Sequence, residues 1–170
     1  MKNTLIALIA LAVPFTAFAG DKEVLPEPTP APILFVGAGA EHMDQYDTEY
    51  YTLKGGARFD ITETLSYALF GEVGFATLNW KDETVEIVPV TFNADLRYDI
   101  TPRLFTYIGA GAGTMYWNNL PAADGNSWTL VGQAFGGIGY KLTDSIEISA
   151  QGRYLVSAKD FDDWTYGVNV

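Results

Sequence analysis

From Val88 to Ile100 every second residue is apolar or aromatic: Val88, Val90, Phe92, Ala94, Leu96, Tyr98 and Ile100. The residues between them, Pro89, Thr91, Asn93, Asp95, Arg97 and Asp99, grow more polar toward Asp99-Ile100-Thr101-Pro102, where the chain folds back on itself. A period of two sustained over this length is a β-strand with one greasy face and one wet face. At roughly 3.3 Å per residue the strand is long enough to cross a ~30 Å hydrocarbon layer, even tilted.

The rest of the chain repeats this unit. A short turn recurs three times, as Phe59-Asp60-Ile61-Thr62-Glu63-Thr64-Leu65, Tyr98-Asp99-Ile100-Thr101-Pro102-Arg103-Leu104 and Tyr140-Lys141-Leu142-Thr143-Asp144-Ser145-Ile146. A repeat near 40 residues suits propeller blades as well, but each unit here holds two long strands and a blade needs four short ones. The unit is a long hairpin. Longer polar connections alternate with the short turns, at Glu41–Glu49, Leu78–Glu83, Asn118–Ser127 and Ser157–Asp163, and they collect Asp44, Asp47, Glu49, Asp82, Glu83, Asp124, Asp160, Asp162 and Asp163. Eight strands result, at about 33–41, 50–61, 64–77, 84–100, 103–117, 127–142, 145–157 and 164–170. Short turns at one end and long loops at the other are the asymmetry of an outer-membrane barrel. The expected fold is all-β, an eight-stranded antiparallel up-and-down transmembrane β-barrel over residues 33–170.

Two segments precede the barrel. Residues 1–19 read as a cleaved signal peptide: Lys2, an apolar stretch from Leu5 to Phe18, and the small-x-small site Ala17-Phe18-Ala19. Residues 20–32 carry four prolines, at 26, 28, 30 and 32, and read as an extended periplasmic leader.

The repeated turn fixes the side-chain phase from strand to strand. One face gathers Leu34, Leu53, Leu69, Val90, Phe92, Ile108, Leu130, Ile138, Val156 and Val168, with Tyr51, Tyr98, Tyr116, Trp128, Tyr140 and Tyr154 toward the strand ends. The other holds Lys54, Arg58, Glu72, Asn93, Asp95, Arg97, Gln133, Glu147, Gln151 and Arg153, together with many of the glycines. Alternation alone does not say which face points inward. Charges in mid-strand among glycines suit a narrow wet interior, and aromatics at strand ends suit an interfacial girdle. The apolar face is therefore expected outside. Lys54, Arg58, Arg97 and Arg153 nearly balance Glu72, Asp95 and Glu147. Eight strands leave an interior just wide enough to be filled by side chains, so these seven are expected to form a structural network that pairs buried charges, with no open pore.

Composition removes other classes. The formal charge is −11, and removing Lys2 with the signal segment leaves −12. Nucleic acid is a poor partner for such a chain. There is no cysteine, hence no disulfide scaffold, thiolate zinc site, cysteine nucleophile or lipoprotein anchor. The single histidine, His42, stands at the loop end of the first strand, and no serine has a visible histidine–acid arrangement around it. Asp160-Phe161-Asp162-Asp163 lacks the spacing and turn glycine of an EF-hand loop and reads as a solvated acidic loop. Gly109-Ala110-Gly111-Ala112-Gly113 sits in mid-strand with no helix after it, unlike a phosphate-binding loop. No catalytic residue, metal or cofactor is expected.

Thr106-Tyr107-Ile108-Gly109-Ala110-Gly111-Ala112-Gly113, Phe135-Gly136-Gly137-Ile138-Gly139-Tyr140-Lys141-Leu142-Thr143 and Ile146-Glu147-Ile148-Ser149-Ala150-Gln151-Gly152-Arg153-Tyr154 carry a resemblance. With them the chain resembles the small eight-stranded outer-membrane barrel proteins, the group of the OmpA transmembrane domain, OmpX and the opacity-type proteins. The resemblance covers about Ile33 to Val170 and is specific for architecture. It implies a non-enzymatic outer-membrane protein with outer-membrane lipid around it, the assembly machinery as its partner during insertion, and surface loops open to a ligand. The group includes adhesins, membrane stabilisers and small-solute channels, so a narrow channel for small or apolar solutes stands as an alternative. A soluble periplasmic ligand-binding barrel is the other. Family members commonly end on an aromatic residue that the insertion machinery reads, whereas Tyr166-Gly167-Val168-Asn169-Val170 does not; on that likeness the sequence is expected to lack a few C-terminal residues, the alternative being an atypical assembly signal.

Overall fold

A computed structural model describes residues 31–80, 83–118, 127–158 and 161–170. The signal segment at 1–19 and nearly all of the leader lie outside the described residues, as do Asp82, Asp124 and Asp160. Eight strands follow one another: β1 (Ile33–Met43), β2 (Thr48–Asp60), β3 (Leu65–Trp80), β4 (Glu83–Asp99), β5 (Leu104–Asn118), β6 (Ser127–Lys141), β7 (Glu147–Ser157) and β8 (Phe161–Asn169). Each pairs antiparallel with the next, and β8 returns to β1 to close the barrel. In the closing ladder Gly39 faces Asn169 and Met43 faces Thr165, and Ala38 and Val170 exchange both backbone hydrogen bonds at 2.9 Å. The closed ladder leaves backbone polar groups paired along the wall, which a lipid environment demands.

The three short turns are built alike. Leu65 N–H donates to Oγ1 of Thr62 at 3.0 Å, Leu104 N–H to Thr101 at 2.9 Å, and Ile146 N–H to Thr143 at 3.0 Å. In each, the threonine's own backbone N–H also donates to the carbonyl three residues on, Thr62 to Leu65 and Thr101 to Leu104 at 3.0 Å and Thr143 to Ile146 at 3.2 Å. A side-chain hydroxyl standing in for a backbone acceptor is what holds so tight a reversal.

The first strands run further on the loop side than their patterning predicts. β1 and β2 extend to Met43 and from Thr48, so Glu49 belongs to a strand and the connection shrinks to four residues, of which Asp47 takes a left-handed φ of 48°. That conformation is open to aspartate at little cost. Glu83 opens β4, and Asp162 and Asp163 lie within β8. These acids are strand residues, correcting their assignment to loops. The reason is the ladder: Asp162 and Asp163 pair with Val156 and Leu155, and backbone pairing continues past the point where hydropathy stops alternating.

Candidate functional site

Side chains at the inner positions fall into three layers stacked along the lumen. Nearest the loops lies an apolar layer of Met43, Tyr50, Leu78, Val85, Ile87, Met115, Trp117, Val131, Leu155 and Phe161, all buried. The Tyr46 ring of the β1–β2 turn stacks on Phe161, with centroids 5.4 Å apart and planes at 10°. This layer corrects the expectation of a wet interior throughout. In β4 and β5 both faces are apolar near the loops, at Val85, Ile87 and Val88 and at Met115, Tyr116 and Trp117, so alternation there carries no contrast.

Beneath it, Arg153 of β7 is the centre of a buried polar cluster. Its Nη2 donates to Glu41 Oε1 at 2.9 Å and to Glu72 Oε2 at 3.1 Å. Nη1 donates to Gln133 Oε1 at 2.8 Å and also to Glu72 Oε1. Gln133 then donates to Asn93 Oδ1 at 2.6 Å, and Gln151 donates to Glu41 Oε1 at 2.9 Å. Thr165 closes the second oxygen of Glu41. The two carboxylates thus face one guanidinium, their remaining lone pairs met by amides and a hydroxyl, the condition under which buried ions are tolerated.

At the turn end a second cluster forms around Arg97. Its Nη1 meets both oxygens of Glu147 at 2.9 and 2.8 Å, its Nε donates to Asp99 Oδ1 at 2.7 Å, and its guanidinium lies 3.6 Å over the Phe105 ring. Arg58 reaches Glu147 at 3.4 Å and Lys141 reaches Asp99 at 2.7 Å. Lys54 and Asp95 stand between the clusters. Lys54 donates to Asn169 Oδ1 at 3.1 Å, and its register partner Glu72 is taken by Arg153.

All seven charged residues named from the sequence, Lys54, Arg58, Glu72, Asp95, Arg97, Glu147 and Arg153, therefore sit at inner positions. The structure brings five of them into two separate ion-paired groups and gives neither Lys54 nor Asp95 an ion pair among the described residues. Sequence reasoning missed Glu41, Asp99 and Lys141. Glu41 stands where the first expected strand meets its connection and was grouped with the loop, yet its parity is that of Gly37 and Gly39, a signal that points it inward.

The outer face is apolar. Val36, Leu34, Leu130, Ile108, Phe92, Leu53 and Val168 are all exposed. Of the aromatics named for a girdle, Tyr51, Tyr98, Trp128 and Tyr140 are exposed and Tyr116 and Tyr154 are half-buried, because they pack on their neighbours Trp128 and Trp164 at 5.2 and 5.1 Å. His42 is also on the outer face, its ring 5.5 Å from Tyr166 and its nitrogens 3.6 Å from Asp47 and Glu49. Asp163 turns inward instead, where Oδ1 accepts the Gln45 N–H at 2.9 Å and ties the β1–β2 turn to β8. Among the described residues no His, Asp and Glu group is placed to hold a metal ion.

The barrel is similar to the N-terminal β-barrel domain of Pseudomonas aeruginosa OprF, with a TM-score of 0.53 and 15% identity over 79% of this chain and 93% of that one. It is likewise similar to Neisserial surface protein A, with a TM-score of 0.53 and 16% identity over 81% of this chain and 96% of that one. No protein-family model and no curated protein sequence matches the chain. The likeness is one of fold: an eight-stranded antiparallel barrel of the transmembrane kind, resembling the small outer-membrane barrel proteins.

Proposed function

We propose that this chain is an integral outer-membrane protein of a diderm cell, non-enzymatic, which anchors in the bilayer and displays its loop end at the surface. The observation that carries this reading is the polarity of the wall: apolar side chains outside, paired ions inside. A soluble ligand-binding barrel has the opposite arrangement, because water outside and an apolar ligand inside reward the reverse placement. Residues 1–19 act as the export signal and residues 20–32 as a periplasmic leader. Outer-membrane lipid surrounds the belt, Tyr51, Tyr98, Tyr116, Trp128, Tyr140 and Tyr154 mark its two interfaces, and assembly machinery acts during insertion.

Lys54, Arg58, Glu72, Asp95, Arg97, Glu147 and Arg153 serve structure, filling the lumen so that no solute path runs through it. The loop end is acidic, with Asp44, Asp47, Glu49, Glu83 and Asp162 exposed, and is the surface a ligand would meet. Membrane fractionation tests the reading. The protein should sediment with outer membranes, resist carbonate extraction and change gel mobility on boiling. Recovery in the soluble fraction without detergent would refute it, and steady conductance in planar bilayers would refute the filled lumen.

A further inference from the structure

The outer wall is uneven in its turn-side half. On β2 to β4 the outward positions carry Phe59, Tyr67, Leu69 and Leu96, whereas on β6 and β7 they fall to Gly136, Ala150 and Gly152. The ladder sets these small residues side by side, since Gly136 faces Gly152 and Ile138 faces Ala150. They floor an open groove of about 620 Å³, lined also by Thr106 and Ile138 toward β5 and by Tyr166 and Val168 of β8. Thr106 donates its hydroxyl to the Gly137 carbonyl at 2.9 Å, which leaves that side of the groove dry. Across Thr106, toward Leu96 and Tyr98, the wall dips by only about 160 Å³, so the room for a guest is on the β6–β8 side.

A cation stands at the foot of this groove. Among the described residues Lys54, Arg58, Arg97, Lys141 and Arg153 lie at inner positions, and Arg103 is the one exposed base. Its carbonyl accepts the Lys141 N–H at 2.8 Å, which fixes it against β6, and its guanidinium lies beside the Tyr140 hydroxyl. Asp144 of the next turn is the acid that acts on it, yet the two form no ion pair. From Tyr140 the strand runs through Ile138 to Gly136. That climb is about 13 Å at roughly 3.3 Å per residue, within one half of a ~30 Å hydrocarbon layer. Charge and groove are therefore spaced as a lipid headgroup and the middle of its chain.

We propose that the groove between β5 and β8 seats one acyl chain of a glycerophospholipid in the turn-side leaflet, with the lipid phosphate held by Arg103 and the Tyr140 hydroxyl. Resting on the membrane reading, it adds to a fluid lipid belt a single fixed lipid and the place where it binds. Guanidinium and phosphate form charge-assisted, bidentate hydrogen bonds, while Tyr140 sits where an aromatic ring meets the headgroup level. The chain gains contact with a floor that, at Gly136 and Gly152, has no side chain of its own to offer the bilayer.

The probe is palmitoyl-oleoyl phosphatidylethanolamine, added to the full chain refolded in detergent. Native mass spectrometry should show a single retained lipid, and the amide signals of Gly136, Tyr140 and Gly152 should shift and saturate at one equivalent. Arg103→Gln should weaken retention roughly tenfold, the loss of a hydrogen bond to a charged group. Gly152→Leu fills the groove from a position with nothing within 4 Å and should abolish retention. Gly71→Leu, the same change at an equally open position of β3, should leave it intact. Heat-modifiable gel mobility verifies folding, and Ala150→Leu takes the place of Gly152→Leu if that variant does not fold. A folded parent that retains no lipid overturns the seat, as does retention that survives Arg103→Gln or Gly152→Leu, or is lost equally in Gly71→Leu. A parent dimer that Gly152→Leu dissociates, with no lipid released, gives the groove to a second copy and also overturns it. Those failures leave sedimentation with outer membranes untouched, whereas recovery in the soluble fraction would refute the membrane reading itself.

Discussion

Arg153 and Glu72 meet across the lumen from β7 and β3, the guanidinium bridging both carboxylate oxygens, with Nη2 to Oε2 at 3.1 Å. Both side chains are buried, so neither charge has water to fall back on. Arg153→Met leaves Glu72 and Glu41 facing each other without a cation and should cost about 3–5 kcal/mol. Replacing Glu72 and Glu41 with leucine in the same chain should return part of that loss, because a lumen packed with apolar groups no longer holds a stranded charge. Equilibrium unfolding in guanidinium, from phospholipid vesicles, measures both, and a purely additive loss would contradict the coupling.

Thr101 tests the repeated turn. Its Oγ1 accepts the N–H groups of Arg103 at 3.3 Å and Leu104 at 2.9 Å. Thr101→Val keeps the shape and removes the acceptor, and should destabilise the barrel by about 1 kcal/mol. Thr101→Ser restores the acceptor and should stay within about 0.5 kcal/mol of the parent. The same pair of substitutions at Thr143 should behave alike, since Ser145 and Ile146 stand there in the same relation.

Those threonines also explain how much of the fold was legible. A turn that recurs with the same spacing fixes the strand phase, and phase alone sends Lys54 and Arg97 inward and Phe92 and Leu130 outward. Legibility ends where hydropathy contrast ends. Ile87 and Val88 are both apolar, yet one is buried in the seal and the other is half-buried on the wall. Partner choice is not in the pattern at all. That Arg97 takes Glu147 fifty residues away, and leaves Asp95 unpaired, depends on the stagger of β4 against β7 across the barrel.

Gly113 and Gly152 separate the two sides of the wall. A Cβ on Gly113, at an inner position of β5, would lie 2.0 Å from the Val90 carbonyl oxygen, a backbone atom that cannot step aside. Gly152, at an outer position of β7, has nothing within 4 Å. Gly113→Ala should therefore force β4 and β5 apart and lose several kcal/mol, beyond the ~1–3 kcal/mol of ordinary overpacking. Gly152→Ala should be neutral or gain about 0.5–1 kcal/mol, the usual preference for alanine in a regular element. Gel mobility before and after boiling, followed by unfolding, reads the contrast.

Tyr46, in the turn above the seal, carries a pH dependence of known sign. Burial first, then the charges of Asp163 and Asp162, push its phenol up to about 12. The folded chain holds this proton more tightly than the unfolded one, where the phenol titrates near 10.0. Its contribution to stability is therefore complete below that lower value and is lost as pH rises through the higher one. Ultraviolet titration of the parent and Tyr46→Phe should coincide up to about pH 11 and part by one phenolate above it. A one-phenolate difference already present near pH 10 would show the ring to be solvated.

Phe92 stands near the middle of the outer belt. It is 64% exposed, lies six residues from Tyr98, and faces Ala112, four residues from Tyr116. If lipid covers this face, Phe92→Arg places a guanidinium near the bilayer midplane and should cost ~2–4 kcal/mol in vesicles. Ile100→Arg, exposed beyond Tyr98 at the short turn, should cost no more than about 1 kcal/mol, because depth and not exposure sets the penalty. The comparison separates lipid from water as the outer solvent. In water both arginines would sit on a wet surface and shift stability by about 0.5 kcal/mol or less. A difference between them appears only if the barrel is surrounded by hydrocarbon at Phe92 and by headgroups or water at Ile100.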